Sequence, residues 1–233
     1  MGVGRGLAAV AAALLAVAGG PGAGAARASA EPAASSTGGR VRITDIPALG
    51  QNGFTGRGGA VAVGAEGGER RADFNDLTEG TGDYLSFTGP TGAVYGEPLG
   101  PVREAVSDPG AVAAKLNPNG RALVVLPEVY TRARCAPPEA PLTRNAVARA
   151  SVAGHRVGAG TTRVRAGAAY LGLARVARGE LKVRLVQVRR TSPGAAESRV
   201  EVTVSGALYD RKGKRLYKGP LMKLTAADVR VRC

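Results

Sequence analysis

The sequence predicts a mainly β protein, an antiparallel β-sandwich stapled by one disulfide. Three observations predict it. Short alternating or apolar runs recur from Arg40 onward, divided by glycine- and proline-rich turn signals. Helical periodicity is almost absent. The only two cysteines, Cys135 and Cys233, each close an arginine-alternating strand pattern, in VYTRARC and DVRVRC. Many short strands at even spacing point to two packed sheets.

The first 30 residues read as a secretory signal peptide. Arg5 supplies a basic start, Leu7 to Ala18 is an unbroken apolar run, and a small-residue tract follows with A-x-A sites that place cleavage near Ala28 or Ala30. The apolar run is too short for a spanning helix, which needs about 20 residues. The expected product is exported, with no transmembrane segment after processing.

Residues 31–39, EPAASSTGG, have the composition of a flexible linker. Residues 40–127 form a glycine-rich β region, with strand candidates in VRITDI, AVAVGA, DYLSF and RALVVL and turns in GFTGRGG, TEGTGD, TGPTG and NPNG. One helical candidate interrupts it, Val102 to Leu116, where Ala, Val and Leu recur beside Arg103, Glu104 and Lys115, broken by Pro109-Gly110.

Residues 128–233 carry the stronger strand pattern and are expected to form a disulfide-bounded basic β-sandwich. In VYTRARC, Val129, Thr131, Ala133 and Cys135 share one face, and Tyr130, Arg132 and Arg134 share the other. ELKVRLVQVRR alternates to Leu185 and then slips phase at Val186, which suggests a bulge or burial on both faces. RVEVTV sets Val200, Val202 and Val204 against Arg199, Glu201 and Thr203. ALYDRKGKRLYKG reads as a hairpin turning at Gly213. The closing strand places Val229, Val231 and Cys233 inward against Arg230 and Arg232.

Export permits a disulfide, and two cysteines allow one intramolecular pairing, Cys135 to Cys233. Such a bridge needs α-carbons about 5–6 Å apart, so the two strands must be neighbours in one sheet or face each other across two. The expectation is that they are the first and last strands of one unit. A staple is useful here: Trp is absent and aromatics are 4% of the chain, so the core is built from small side chains that each bury little apolar area.

Charge is unevenly distributed. Residues 31–135 hold 10 basic and 12 acidic side chains, whereas residues 136–233 hold 20 basic and 6 acidic. A field of one sign favours polyanionic partners, which for an exported protein means an anionic cell-wall polymer or another extracellular polyanion. The strand arginines Arg132, Arg134, Arg184, Arg230 and Arg232 are the candidate polyanion-binding residues. The competing explanation is compositional: Arg outnumbers Lys 26 to 6, as a GC-rich genome would produce, and the basic surface is then merely solvated.

On VYTRARC, SVAGHRV, TTRVRAG, LKVRLVQVRRT, AAESRVEVTV and DVRVRC, residues 125–233 resemble exported actinobacterial surface proteins of the choice-of-anchor and Leu-Ala-Glu-Thr-Gly-anchored kind. That family has no established activity. The resemblance implies an exported cell-envelope β domain. The sortase signal, hydrophobic helix and basic tail of the family are not found in this sequence, so wall anchoring is not carried over.

Signals for catalysis are few. His155 is the sole histidine and stands beside Arg156, a solvated pair rather than a catalytic one. There is no G-x-S-x-G elbow, and GFTGRGGAVAVG lacks dinucleotide or P-loop spacing. RADFNDLTEGTGDY gathers Asp73, Asn75, Asp76, Glu79 and Asp83, but Leu77 occupies a ligand position of the EF-hand frame. No cofactor, metal site or catalytic residue is therefore expected. The leading expectation is a non-catalytic interaction protein. The alternatives are a purely structural exported module and a carboxylate-dependent hydrolase, the last requiring two acids that converge in a cleft.

Overall fold

A computed structural model describes residues 33–89, 91–97, 100–147 and 149–233. In chain order its strands are β1 (Ala34–Ile43), β2 (Phe54–Arg57), β3 (Ala60–Val63), β4 (Gly68–Asp73) and β5 (Leu85–Phe87). Next come β6 (Thr91–Gly96), β7 (Arg103–Ala114), β8 (Val124–Cys135), β9 (Leu142–Val147) and β10 (Ala150–Val152). The last are β11 (His155–Val157), β12 (Gly160–Gly167), β13 (Arg178–Ser192), β14 (Ala195–Tyr209) and β15 (Arg215–Arg232). A single α-helical turn, α1 (Ala168–Leu171), lies between β12 and β13. The fold is the mainly β, disulfide-linked architecture that the alternation predicts, in two antiparallel sheets.

The first sheet runs β12-β13-β14-β15-β1-β2, with β3 also pairing to β1. The second runs β11-β10-β8-β7-β6-β4, with β5 on β7 and β9 on β8. Strands β1, β14 and β15 of the first sheet pack against β7 and β8 of the second. Each contributes alternate side chains to the interior, as an antiparallel sheet with one wet face must. On β15, for example, Leu224, Val229 and Val231 are buried while Lys223 and Arg230 are exposed.

The core has two apolar parts divided by a polar belt. The larger part includes Val41, Leu126, Val202 and Leu224; the smaller, at the disulfide end, includes Ala34, Ala133, Cys135 and Val231. Between them, the inward positions of β1, β7, β8 and β14 are Ser36, Ser107, Thr131 and Ser198, all fully buried. Each hydroxyl donates to a backbone carbonyl of the opposite sheet: Ser36 to Val106, Ser107 to Thr37, Thr131 to Ala227 and Ser198 to Arg144. Buried hydroxyls must find such acceptors, and here the acceptors tie one sheet to the other.

Cys135 and Cys233 are joined, with α-carbons 5.3 Å apart. The strands they end belong to different sheets, so the bond staples the two layers together. Cys135 is fully buried. Cys233, expected inward with the valines, is exposed at the chain end.

Four expectations are corrected. The linker tract is no linker from residue 34 on: β1 lies between β15 and β2, and its small residues make room for aromatic rings. A side chain on Gly38 would collide with the Phe74 ring, and one on Gly39 would press on Phe87. The helical candidate is β7, whose Ala and Val residues suit either period; Pro109-Gly110 sits at a register shift, with Gly110 at φ +62°. The phase slip after Leu185 is not a bulge, because β13 pairs with β14 in unbroken register and Val186 and Val188 are half-buried on the outer face. VYTRARC does not begin a separate unit, since β1 pairs with β15 and β7 with β8, and Glu31–Cys233 forms one unit. The division into residues 40–127 and 128–233 is therefore not a boundary in the fold. The signal-peptide reading of residues 1–30 lies outside the described residues.

Candidate functional site

The five arginines picked from the sequence do not come together. Arg132 and Arg134 lie on the outer face of β8 in the second sheet, while Arg184, Arg230 and Arg232 lie on the first sheet. Several are neutralised within the chain. Arg132 donates from Nη2 to Glu104 at 2.9 Å, and its Nε lies 2.8 Å from the other carboxylate oxygen without its N–H aimed at it. Arg134 stands 3.8 Å from both Glu104 and Glu139. Arg230 pairs with Asp228 at 3.1 Å.

The outer face of the first sheet repeats this pairing toward the disulfide end. Arg190 and Arg199 each approach Glu197 at 3.1 Å, and Lys223 approaches Glu201 at 3.4 Å. The side-chain hydrogen bond from Arg199, reinforced by the Lys223 charge, holds the Glu201 carboxyl below its ordinary range.

At the other end of the same face the pairing stops. A groove of about 630 Å³ crosses β12, β13, β14 and β15 there. Arg163 of β12 lies directly opposite Lys182 of β13, which lies opposite Ser205 of β14. The neighbouring row runs Arg165, Glu180, Ala207 and Lys218, and Arg215 stands at the end. Five cations thus surround one carboxylate. Among the described residues, none of Arg163, Arg165, Lys182, Arg215 and Lys218 has a carboxylate within 4.0 Å. Glu180 accepts instead from the Tyr209 hydroxyl at 3.3 Å.

Local sequence explains why a depression forms here. The floor is Ser205, Gly206, Ala207 and Gly219, residues with almost no side chain. A β-carbon on Gly206 would strike the Glu180 carbonyl, so the backbones approach as only glycine permits. Leu221 is an extra residue on β15 at a register shift opposite Val204/Ser205, next to Pro220, which has no N–H for the ladder. A bulge of this kind bends the strand and increases its twist.

Arg184 is the one sequence-picked arginine beside this groove, two residues along β13 from Lys182 on the same face. The signal for the others was present in TTRVRAG and ELKVRL as alternating cations and in KRLYKG as a basic segment. What no local pattern carries is that these three segments are cross-strand neighbours.

Elsewhere the chemistry is sparse. His155 is exposed in a tight hairpin, with Ala153 and Gly154 at positive φ. In the acidic stretch, the Asp73 carboxylate accepts from the Asn75 amide at 2.8 Å, and Phe74 is fully buried. Among the described residues no group of three or more His, Cys, Asp or Glu is placed to hold a metal ion. No helix among them is long and apolar enough to cross a membrane. Family models, curated proteins and solved structures yield no match to the chain, so the resemblance to exported surface proteins rests on the strand motifs alone.

Proposed function

We propose that this is a non-catalytic interaction protein of the cell envelope or extracellular space that holds an anionic polymer in the basic groove of its first sheet. One observation carries the reading. Arg163 and Lys182 are like charges directly opposite one another, an arrangement that destabilises a sheet. Toward the disulfide end of the same face the chain places carboxylates against its cations, and in the groove it supplies one carboxylate to five. A cluster that costs stability and lines a concavity is the expected signature of a site that meets an external anion. Two of these five cations, Arg163 and Arg165, stand two residues apart on one strand, and the other three come from two further strands.

Export and envelope location belong to the same proposal and are supported by the leader-like composition of residues 1–30. A purely structural module would have no need of the groove. The hydrolase alternative has one observation in its favour: Asp108 and Glu128 line a shallow cleft of about 410 Å³ on the second sheet. The Asp108 carboxylate there is engaged by the Gly110 amide at 3.4 Å.

The test is retention on an anionic matrix. The wild-type protein should elute as salt rises from about 50 to 200 mM. Combined Arg163→Gln, Lys182→Gln and Lys218→Gln should lower the elution salt markedly, while Arg132→Gln with Arg134→Gln should leave it nearly unchanged. Equal effects of the two variants would assign retention to net charge and remove the groove.

A further inference from the structure

A second depression lies beside the first. It measures about 580 Å³ and spans β14, β15, β1 and β2, with Thr203, Pro220, Lys223, Arg42 and Thr55 along it. The two meet at adjacent cross-strand pairs: Ser205 with Pro220, and Thr203 with Lys223. Arg42 is opposite Lys223 on one side and Thr55 on the other. Asp45 also lines this depression, but its carboxylate accepts from the Gly53 amide at 3.2 Å; Lys223 is shared with Glu201 at 3.4 Å, whereas among the described residues Arg42 has no carboxylate within 4.0 Å.

Resting on the proposed function, we infer that the two depressions form one tract across six strands, and that its ligand is a linear polyanion whose charges lie in a backbone without bases. Three features select that class. Length is the first. From β12 to β2 there are five strand spacings of about 4.8 Å, a span of about 24 Å, which suits an extended chain better than a compact anion. Depth is the second. The floor is recessed and nearly free of side chains, so it admits a thin chain, whereas a flat lipid surface would meet only the rim.

The third feature is the state of the aromatics. Base-bearing single strands are held by stacking on free rings. In the first depression Tyr209 is the only aromatic, and its ring lies under the Arg178 guanidinium at 4.9 Å. In the second, Phe54 is stacked on Tyr84 at 4.4 Å between centroids. One face of each ring is thus already taken by a neighbour within the chain. What remains is a track of guanidinium and ammonium groups, and guanidinium forks suit phosphate and carboxylate oxygens.

Linear polyphosphate of defined length is a suitable probe, measured by calorimetry against the wild-type chain. Affinity should rise with length until the probe spans about 24 Å and then level off. Arg42→Gln with Lys223→Gln should weaken a long probe by about tenfold, as loss of charged hydrogen bonds predicts, and leave a probe shorter than about 10 Å unaffected. Arg163→Gln with Lys182→Gln should weaken both. If long and short probes bind alike and the Arg42/Lys223 variant matches wild type, the extended tract is overturned while the groove stands. If the Arg163/Lys182 variant also matches wild type, the proposed function falls with it. Tighter binding of oligothymidylate, or of anionic phospholipid vesicles, at equal charge would overturn the assignment to a polymer without bases.

Discussion

Thr131 of β8 donates its hydroxyl to the carbonyl of Ala227 in β15, 2.6 Å away, across the interface between the two sheets. Both residues are fully buried. Ala227 has φ of +49°, and it falls where β15 carries one more residue than β14 between Ser198 and Val200. The bulge turns its carbonyl toward the opposite layer, and Thr131 satisfies it.

Thr131→Val keeps the shape and removes the donor. The stranded carbonyl should cost about 1–3 kcal/mol, whereas Thr131→Ser, which keeps the donor and loses a methyl, should cost about 0.8 kcal/mol. Urea unfolding distinguishes them. A valine variant as stable as wild type would mean that the polar belt is not a stabilising feature.

The disulfide should matter because it closes 98 residues and links layers that otherwise meet only through noncovalent packing. In the chain-entropy model a loop of this size is worth about 4–5 kcal/mol. Cys135→Ala with Cys233→Ala should therefore unfold at distinctly lower denaturant concentration. Thiol titration of the native protein should find no free sulfhydryl.

Much of this architecture is legible in the sequence, and the parts that are not share a cause. VYTRARC and DVRVRC announce their buried faces because a period of two is unambiguous when Val alternates with Arg. The hairpin at Gly213 is equally plain, and its Asp210 carboxylate accepts from the Lys212 and Lys214 amides. By contrast, β7 is written in Ala, Val, Ser and Gly, which fit a helix or a strand. The small residues of β1 look like a linker until Phe74 and Phe87 are packed against them. Pairing across long separations, such as Ala34 with Val231, has no local signature at all. The groove fails to show for the same reason, because its cations come from β12, β13 and β15. The arginines picked from the sequence are those of alternating strand patterns, and three of those five are paired with acids.

Glu201 gives the fold a defined acid limb. Its carboxyl is held below the ordinary 4.5 chiefly by the Arg199 hydrogen bond. The native state therefore binds fewer protons than the unfolded chain as pH falls. Its stabilising contribution is complete above pH 4.5 and is lost as pH drops through the lowered native value. Unfolding free energy followed below pH 5 should fall more steeply for wild type than for Glu201→Gln. Parallel curves would remove Glu201 as a contributor.

The groove can be tested directly because the chain has only six lysines, and Lys182 and Lys218 are the two that line it. Lysine acetylation with and without saturating polyanion, read residue by residue by mass spectrometry, is the decisive measurement. Lys182 and Lys218 should be protected by the bound polymer, while Lys115, directly after the end of β7 in the second sheet, should react at an unchanged rate. Equal protection of all three, or protection of Lys115 alone, would contradict a binding site on the first sheet.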